Sequence, residues 1–159
     1  MEPKESRKVD PFILYAMAAA QQAVEDAGWA TPSDAEKLRT GVMIGSGIGG
    51  LGNIADTAIT LKEKGPRRVS PFFIPGALIN LVSGQVSIRF GAKGPNLATC
   101  TACTASAHAV GDSFEIIKRG AADAMITGGA MGSAPVDCSA RSALKQSAST
   151  RCPDAARAA

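Results

Sequence analysis

The sequence is poor in the residues that mark several common functional classes. It has one histidine, one tryptophan, one tyrosine and five phenylalanines among 159 residues. Its basic residues are scattered and the net charge is only +3, so neither a basic patch nor stacking aromatics indicates nucleic-acid binding. No apolar run approaches the ~20 residues of a membrane span, and the first residues are charged, unlike a signal peptide. These features predict a cytoplasmic protein with one core.

The scarcity of histidine also weighs against a metal site. Cys100 and Cys103 form a C-x-x-C pair, a spacing found both in zinc sites and in redox dithiols. A structural zinc site needs four ligands, but His108 falls in the same predicted helix as Cys103. Cys138 and Cys152 have no ligand spacing. Because Cys100 lies in an apolar strand-like run, a small buried side chain is a simpler interpretation than a redox thiol. We therefore predict no metal and no cofactor.

Apolar periodicity and turn residues predict alternating helices and strands. The predicted helices cover residues 10–28, 50–64, 78–90 and 103–120, and the predicted strands cover 40–45, 97–102 and 124–127. Residues 72–75 are expected to form a loop. In the first helix, Asp10 is the expected N-cap, Pro11 the first helical residue and Gly28 the stop signal. Strands separated by helices indicate an α/β layered fold with a mostly parallel sheet flanked by helices.

Cys103 stands where a predicted strand gives way to a helix, which is a favourable place for a nucleophile. A helix N-terminus leaves backbone N–H groups unpaired and carries partial positive charge, which favours a thiolate. The same N–H groups can receive an oxyanion formed from an acyl substrate. His108 is not the expected base, because five residues along a helix turn its side chain by ~140° from that of Cys103. We expect His108 to have a structural role.

Several ordered motifs around Cys103 carry a family resemblance. They are Gly-Pro-Asn-Leu at 94–97, Thr-Ala-Cys-Thr at 101–104 and Gly-Gly at 128–129, with supporting segments at 45–52 and 65–75. The sequence resembles the β-ketoacyl-acyl-carrier-protein synthases, the condensing enzymes of fatty-acid synthesis, and the type II synthases most of all. The resemblance runs from about Glu5 to Gly129, well under half of a whole synthase. It implies part of one half of a thiolase-like fold.

The resemblance implies a decarboxylative Claisen condensation in which Cys103 takes an acyl group from a carrier-protein thioester. Malonyl-carrier protein then loses CO₂, and its carbanion attacks the acyl-enzyme to give a β-ketoacyl product. The family's catalytic histidines and lysine belong to the second half of the enzyme. We therefore expect this chain to be a fragment that does not condense alone. A non-catalytic remnant that binds carrier protein or another subunit is the alternative.

The resemblance also implies binding residues away from the cysteine. Acyl-pocket residues are expected at Ile48, which acts as a gate, and at Phe73 and Ala102. Docking residues for the acidic acyl carrier protein are expected at five basic positions, Lys4, Arg7, Lys8, Arg67 and Arg68; a solvated basic face is the simpler alternative. Because the family places Phe72, Phe73 and the following helix near its dimer interface, a homodimer is implied as well; burial of these aromatics in an ordinary core, which needs no partner, is the alternative.

The glycines after the first strand allow a rival interpretation. Gly45-x-Gly47-x-x-Gly50 follows a predicted strand and precedes a helix, as in dinucleotide-binding proteins. Such proteins carry an acidic residue ~20 residues further on, where this sequence has the basic, turn-like stretch 65–69. A dinucleotide-binding α/β protein is therefore the weaker alternative. The other interpretation is that these glycines let the backbone pack closely beside a substrate channel.

Residues 130–159 differ in composition from the rest of the chain. They contain no aromatic residue and no isoleucine, and they lack a sustained amphipathic period. Met131 stands where the family has an acidic residue, and residues 135–139 replace a glycine-rich stretch. We interpret residues 1–129 as a partial synthase N-terminal domain and 130–159 as a degenerate or frameshifted tail. Such a tail is expected to damage the strand after Gly129 and to leave a half-built sheet that exposes an unpaired edge and apolar surface.

Overall fold

A computed structural model describes residues 6, 8–29, 33–132 and 148–151. Its helices are α1 (Pro11–Asp26), α2 (Asp34–Leu38), α3 (Leu51–Lys64), α4 (Phe73–Ala77), α5 (Asn80–Phe90) and α6 (Ala105–Lys118). Its strands are β1 (Thr40–Gly45), β2 (Asn96–Leu97), β3 (Ala124–Gly129) and β4 (Ala148–Arg151). Two short 3₁₀ turns, Pro66–Arg68 and Ala102–Thr104, connect them.

The strands form one sheet in the order β2-β1-β3-β4. β1 pairs in parallel with β2 and β3, whereas β3 and β4 are antiparallel. The register runs from Thr40 opposite Ala124 to Gly45 opposite Gly129, so the carboxyl ends of β1 and β3 lie side by side. The predicted α/β fold with a mostly parallel sheet is confirmed.

Helices cover the sheet on both faces. On one face α1 and α5 bury Phe12, Ile13, Val82 and Val86 against Val42, Ile44 and Ile126. On the other face α6 buries Ala109 and Ile116 against Met43 and Met125. All six residues of β1 are buried as a result, which is typical of a parallel strand covered by helices on both sides.

One buried carboxylate caps two helices. Asp10, which is 6% exposed, accepts a hydrogen bond at Oδ1 from Phe12 N (3.2 Å), as expected for the N-cap of α1. Its Oδ2 accepts another from Asn53 N (3.3 Å) in the first turn of α3. The residue at the N-cap of α3 is Gly50, which has no side chain to cap it. Asp10 therefore fixes the start of α3 relative to α1.

At the opposite end of the sheet, an ion pair joins the entrances to β1 and β3. Arg39 Nε and Nη2 donate to the two carboxylate oxygens of Asp123 at 3.1 and 2.7 Å, and Nη2 also donates to Gly120 O. This hydrogen-bonded guanidinium holds the pKa of the Asp123 carboxyl below its usual value, and the carboxylate raises the pKa of Arg39. Asp123 N also donates to Arg39 O, so backbone and side chain fix the same pairing.

Two local predictions need correction, and one short helix was missed. Residues 72–75 are not a loop, because Phe73–Ala77 form α4. Pro75 is the third residue of this helix. The backbone N–H that proline lacks is one of those that the start of a helix leaves unpaired in any case, so the proline does not break the helix. The strand predicted over 97–102 is regular only at Asn96–Leu97, because the chain turns before residue 102. The short helix α2 was not predicted, although Ser33 and Glu36 form a capping box at its start.

The edge of β3 that faces away from β1 is paired, and the sheet ends at β4 on this side. β4 pairs with β3 over Ala124–Thr127 and so covers that edge. The partial domain at 1–129 and the degenerate tail at 130–159 stay predictions, and residues 133–147 and 152–159 lie outside the described residues.

Candidate functional site

Cys103 lies in the 3₁₀ turn Ala102–Thr104, immediately before α6. The prediction placed it inside the helix, but regular α-helix begins two residues later, at Ala105. Its neighbour Ala102 has φ +50°, the one positive φ among the non-glycine residues that the structure describes. Left-handed backbone at a residue with a Cβ costs ~1–2 kcal/mol and persists only where the surroundings hold it. The thiol of Cys103 is exposed on this turn.

Two threonines hold the turn in place. Thr104 donates to Thr101 O through both its hydroxyl (2.7 Å) and its backbone N–H (3.1 Å). The hydroxyl of Thr99 donates to Ala105 O at 2.8 Å. Because the N–H groups of Thr104 and Ala105 donate to the carbonyls of Thr101 and Ala102, both are engaged within the turn. These two groups are therefore not free to bind an oxyanion.

Cys103 opens into a depression of about 190 Å³ at the carboxyl end of the sheet. Three segments line it: Gly45–Gly47 at the end of β1, Gly129–Met131 at the end of β3, and Ala102, Cys103, Ala105 and Ser106 around the start of α6. Ala130 N donates to Gly45 O (2.9 Å), which joins the first two segments beyond the ladder. The carboxyl ends of parallel strands are the usual place for a substrate site in α/β proteins.

Glycines let the start of α6 rest directly on the two strand ends. A Cβ on Gly45 would collide with the Ala105 carbonyl oxygen and would lie 2.5 Å from Thr99 Oγ1. A Cβ on Gly129 would lie 2.6 Å from Ser106 Cβ. Such distances lie far inside van der Waals contact, so only glycine fits at either strand end. The close approach brings the turn that carries Cys103 onto the end of the sheet.

The same packing argues against a dinucleotide site. A Cβ on Gly49, where φ is +76°, would lie 2.7 Å from Ala77 O, and one on Gly50 would lie 2.9 Å from Asp10 Oδ2. The glycines therefore face backbone and side chains of this chain. The N-terminus of α3, where a pyrophosphate would bind, already receives the carboxylate of Asp10. A phosphate there would meet a buried negative charge, so the close-packing interpretation of these glycines is the better one.

The structure brings one of the three predicted acyl-pocket residues to the cysteine. Ala102 lines the depression beside Cys103. The other two, Ile48 and Phe73, do not line it. Ile48 is 52% exposed and comes directly after Gly47, which does line the depression, whereas Phe73 is half-buried in α4. Sequence analysis missed Ser46, Ser106 and Met131, which do line it. The signal that could have found Ser46 and Met131 is their position just after two strands whose ends lie together.

Of the five predicted docking residues, three fall within the described residues. Lys8 is exposed, and its Nζ lies 4.7 Å from the centroid of the Phe72 ring. Arg67 and Arg68 are exposed on the 3₁₀ turn that follows α3. Lys4 and Arg7 lie outside the described residues. Lys8 also borders a groove of about 360 Å³ lined by Val9, Met17, Phe72, Pro75, Gln85, Ile88 and Arg89.

The prediction that Cys100 belongs to the core is wrong. Its side chain is exposed, and its Sγ lies 3.6 Å from Gly47 O. The reason is that the chain leaves regular strand geometry after Leu97, so the inward alternation of a strand does not extend to residue 100. His108 is also exposed, in the second turn of α6. Two thiols thus reach the surface near the end of the sheet.

Neither a metal centre nor a membrane span is formed by the part of the chain that the structure describes. Residues 6, 8–29, 33–132 and 148–151 contain no group of three or more histidine, cysteine or acidic side chains placed to hold a metal ion. Among the same residues, no helix has both the length and the apolar character needed to cross a bilayer.

Comparisons with known proteins connect this geometry to a family. The sequence profile described as "Beta-ketoacyl synthase, N-terminal domain" matches residues 1–158. The "3-oxoacyl-[acyl-carrier-protein] synthase 2" of Rhizobium meliloti (strain 1021) is 62% identical over 129 residues, which are 81% of this chain and 31% of that protein. The enzyme of the same name from Staphylococcus aureus (strain N315) is 50% identical over the same shares. The chain thus spans about a third of the length of these relatives.

Solved structures of ketosynthases share the fold. One comes from a complex described as a type II PKS acyl-carrier protein with its ketosynthase bound to the hexaketide. The matching chain of that complex has a TM-score of 0.73 and 25% sequence identity, and the match covers 85% of this chain and 39% of that one. Another, a β-ketoacyl synthase from Burkholderia phymatum STM815, has TM-score 0.69 and 24% identity over 79% of this chain and 31% of that one. The prediction of part of a thiolase-like layered fold is confirmed. The chain belongs to the β-ketoacyl synthase family.

Proposed function

We propose that this chain is the nucleophile-bearing part of a 3-oxoacyl-acyl-carrier-protein synthase, an acyltransferase that elongates fatty acids. The observation that carries the proposal is the exposed thiol of Cys103, on a strained turn that opens into a depression at the carboxyl ends of β1 and β3. Strain stored beside a reactive side chain is typical of functional sites, because the surrounding structure must hold the turn open. The family relationship supplies the reaction class.

In the proposed reaction, the sulfur of Cys103 attacks the carbonyl carbon of an acyl-carrier-protein thioester. A new carbon–sulfur bond forms, the old one breaks, and the carrier leaves as its thiol. Malonyl-carrier protein then loses CO₂, and the resulting carbanion displaces Cys103 from the acyl carbonyl. That step needs neutral imidazoles over the malonyl thioester, and the only histidine in this chain is on α6, five residues after Cys103. Condensation therefore needs groups outside this chain.

Acylation of Cys103 is the direct test. Incubation with a long-chain acyl thioester, or with a cerulenin-type epoxide, is expected to leave one adduct on Cys103, located by peptide mass spectrometry. Cys103→Ala should lose the adduct completely. Cys100→Ala is the matched control, because Cys100 is also exposed but lies outside the depression. No adduct, or equal labelling of all four cysteines, would contradict the proposal and would favour the non-catalytic alternative.

The same samples separate acylation from condensation. With acyl- and malonyl-carrier proteins present, the purified chain is expected to accumulate acyl-Cys103 without releasing a β-ketoacyl product. Detection of that product would show that the chain contains all the groups needed for decarboxylation.

An acyl carrier protein is the proposed partner. Lys8, Arg67 and Arg68 are exposed cations, and Lys4 and Arg7 extend the basic sequence next to Lys8. One structural neighbour of this chain is a ketosynthase in complex with an acyl-carrier protein. Because carrier proteins are strongly acidic, opposite charges would steer the encounter and fix its orientation.

Charge reversal tests this docking surface. Arg67→Glu with Arg68→Glu is expected to weaken carrier binding about tenfold at low salt, because two exposed attractions of ~0.2–1 kcal/mol become repulsions. Lys118→Glu with Arg119→Glu makes the same change in net charge at the far end of α6 and should have little effect. Isothermal titration calorimetry at two salt concentrations measures both. Equal loss in the two double variants would mean that only net charge matters.

We also propose that the complete protein is a homodimer. Phe72 is 43% exposed and Ile74 is 55% exposed, so the segment around α4 retains apolar surface that the described residues do not cover.

A further inference from the structure

The loop between β1 and α3 is rich in glycine and is nevertheless held by specific hydrogen bonds. Residues 46–50, which we name the β1–α3 loop, include Gly47, Gly49 and Gly50. Glycine has more backbone freedom than any other residue, so a loop of this composition keeps one conformation only where contacts fix it. Gly50 N donates to Ala77 O (3.0 Å), which fixes the end of the loop that leads into α3.

Ser46 fixes the loop from the end that leaves β1. Its side chain is 2% exposed, and its Oγ accepts a hydrogen bond from Gly49 N at 3.1 Å. A serine hydroxyl that bonds to the backbone a few residues away is a common way to hold a turn. Gly49 is itself buried. Without the hydroxyl its N–H would be buried and unpaired, which is unfavourable, so we expect the loop to move until that group reaches water.

The same loop is joined to the segment that carries the nucleophile. Ser46 N donates to Thr99 O (3.0 Å), and the Thr99 hydroxyl donates to Ala105 O (2.8 Å) at the start of α6. A Cβ on Gly47 would lie 3.2 Å from Ala102 O, so the loop also packs directly against the 3₁₀ turn. A movement of the β1–α3 loop would therefore remove one wall from beside the nucleophile.

The depression beside Cys103 is too small to hold a long acyl chain. Its volume is about 190 Å³. At about 30 Å³ for each heavy atom, which is the volume of one water molecule in the liquid, it holds about six heavy atoms. A short acyl group on Cys103 fits inside, whereas a long one must extend over the neighbouring surface. The β1–α3 loop offers apolar surface there, because Ile48 is 52% exposed and comes directly after the lining residue Gly47.

We propose that Ser46 is a positioning residue for long acyl chains. Its hydroxyl holds the β1–α3 loop against the turn that carries Cys103, so that a chain attached to this cysteine meets a wall that is already in place. A surface that is fixed beforehand binds more tightly, because it loses no further freedom on binding. Ser46 acts through the loop and takes no part in making or breaking bonds. This role rests on the proposed function, since the acyl group on Cys103 is the chain to be positioned.

Alkylation of Cys103 by a short and a long reagent tests this role. Iodoacetamide and N-dodecyl iodoacetamide have the same reactive group, and peptide mass spectrometry measures how fast each modifies Cys103. In Ser46→Ala the ratio of the long-reagent rate to the short-reagent rate is expected to fall about fivefold, the effect of one or two lost methylene contacts. The short reagent needs only the exposed thiol, so its own rate should change by less than about twofold.

Ser83→Ala is the matched control. Ser83 is fully buried, and its Oγ also accepts a hydrogen bond from a backbone N–H, that of Ile44 at 3.0 Å, but it does not line the depression. Its loss should destabilise the chain in the same way and leave the ratio of the two rates unchanged. An equal fall of the ratio in both variants, or an unchanged or higher ratio in Ser46→Ala, would overturn the proposal.

Amide hydrogen exchange of the wild-type chain does not depend on how Ser46→Ala folds. The N–H of Gly49 is expected to be protected to within about tenfold of the N–H of Gly50, because both are hydrogen-bonded within the folded chain. Exchange of the Gly49 N–H at the rate of an unstructured amide would overturn the proposal, because Ser46 would then not hold the loop.

These measurements separate the role of Ser46 from the proposed function. Alkylation requires only a thiol at Cys103, whereas acylation requires transfer from a thioester. If the ratio falls as expected and Cys103 is never acylated, the proposed function fails while the loop is shown to be held by Ser46. If Cys103 is acylated and the ratio does not fall, the role of Ser46 fails alone.

Discussion

Gly45→Ala is expected to destabilise the protein by more than the ~1–3 kcal/mol that overpacking usually costs. The added methyl group would meet the Ala105 carbonyl oxygen on one side and Thr99 Oγ1, 2.5 Å away, on the other. Neither neighbour can yield easily, because the Thr99 hydroxyl is hydrogen-bonded to that same carbonyl. The start of α6 would have to lift from the sheet, which would displace the turn that carries Cys103.

Urea denaturation followed by far-UV circular dichroism measures the effect. Gly111→Ala is the matched control, since Gly111 lies within α6 and an added Cβ there would have nothing within 4 Å. It is expected to stabilise the chain by ~0.5–1 kcal/mol, because alanine is a better helix former than glycine. The two substitutions should therefore act in opposite directions. A shift of the same sign and size in both would mean that the contact at Gly45 is not the cause.

Asp10→Ala is expected to cost ~1–4 kcal/mol, because two helices lose their cap together and each N-cap contributes ~0.5–2 kcal/mol. Asp10→Asn should cost about half as much. The amide keeps one acceptor oxygen, but its NH₂ group would face the N–H of either Phe12 or Asn53. The order wild type, asparagine, alanine is the signature of a carboxylate that accepts at both oxygens.

The same urea titrations test this order. Asp56→Ala removes an exposed carboxylate from α3 itself and should change stability by less than ~0.5 kcal/mol. If Asp10→Asn proves as stable as the wild type, one of the two capping bonds contributes nothing. If Asp10→Ala lowers the stability no more than Asp56→Ala, the double cap is not a stabilising feature.

The sequence was most informative where local chemistry decides the structure. The strand at Thr40–Gly45 has the bounds that its apolar run predicts, and α1 begins at Pro11 with Asp10 as its cap. Cys103 could be identified because the change from strand to helix lies within a few residues of it. In each case the signal and the structure occupy the same stretch of chain.

Long-range contacts decided what the sequence did not predict. Cys100 is exposed because the turn around Ala102, which Thr99 and Thr104 hold, ends the strand early. Met131 reaches the depression only because β3 pairs with β1 in one particular register. The residues of α3 that come nearest to burial are polar, namely Asn53, Thr57 and Thr60, although a surface helix normally places its apolar side inward. Asp10 accepts a hydrogen bond from Asn53 N but lies 41 positions before Leu51, so periodicity within α3 could not reveal this contact.

The pairing of β1 with β3 joins parts of the chain that are made at very different times during synthesis. The two strands are 84 positions apart, from Thr40 to Ala124, and α6 lies between them in the sequence. During synthesis at about 5–20 residues per second, β1 must wait roughly 4–17 s for its central partner. Throughout that time a strand whose six residues all end up buried remains without its main neighbour. Long-range pairing between parallel strands is slow to form and leaves a chain exposed to aggregation until it is complete, so we expect this chain to be most prone to aggregation before β3 has been synthesised.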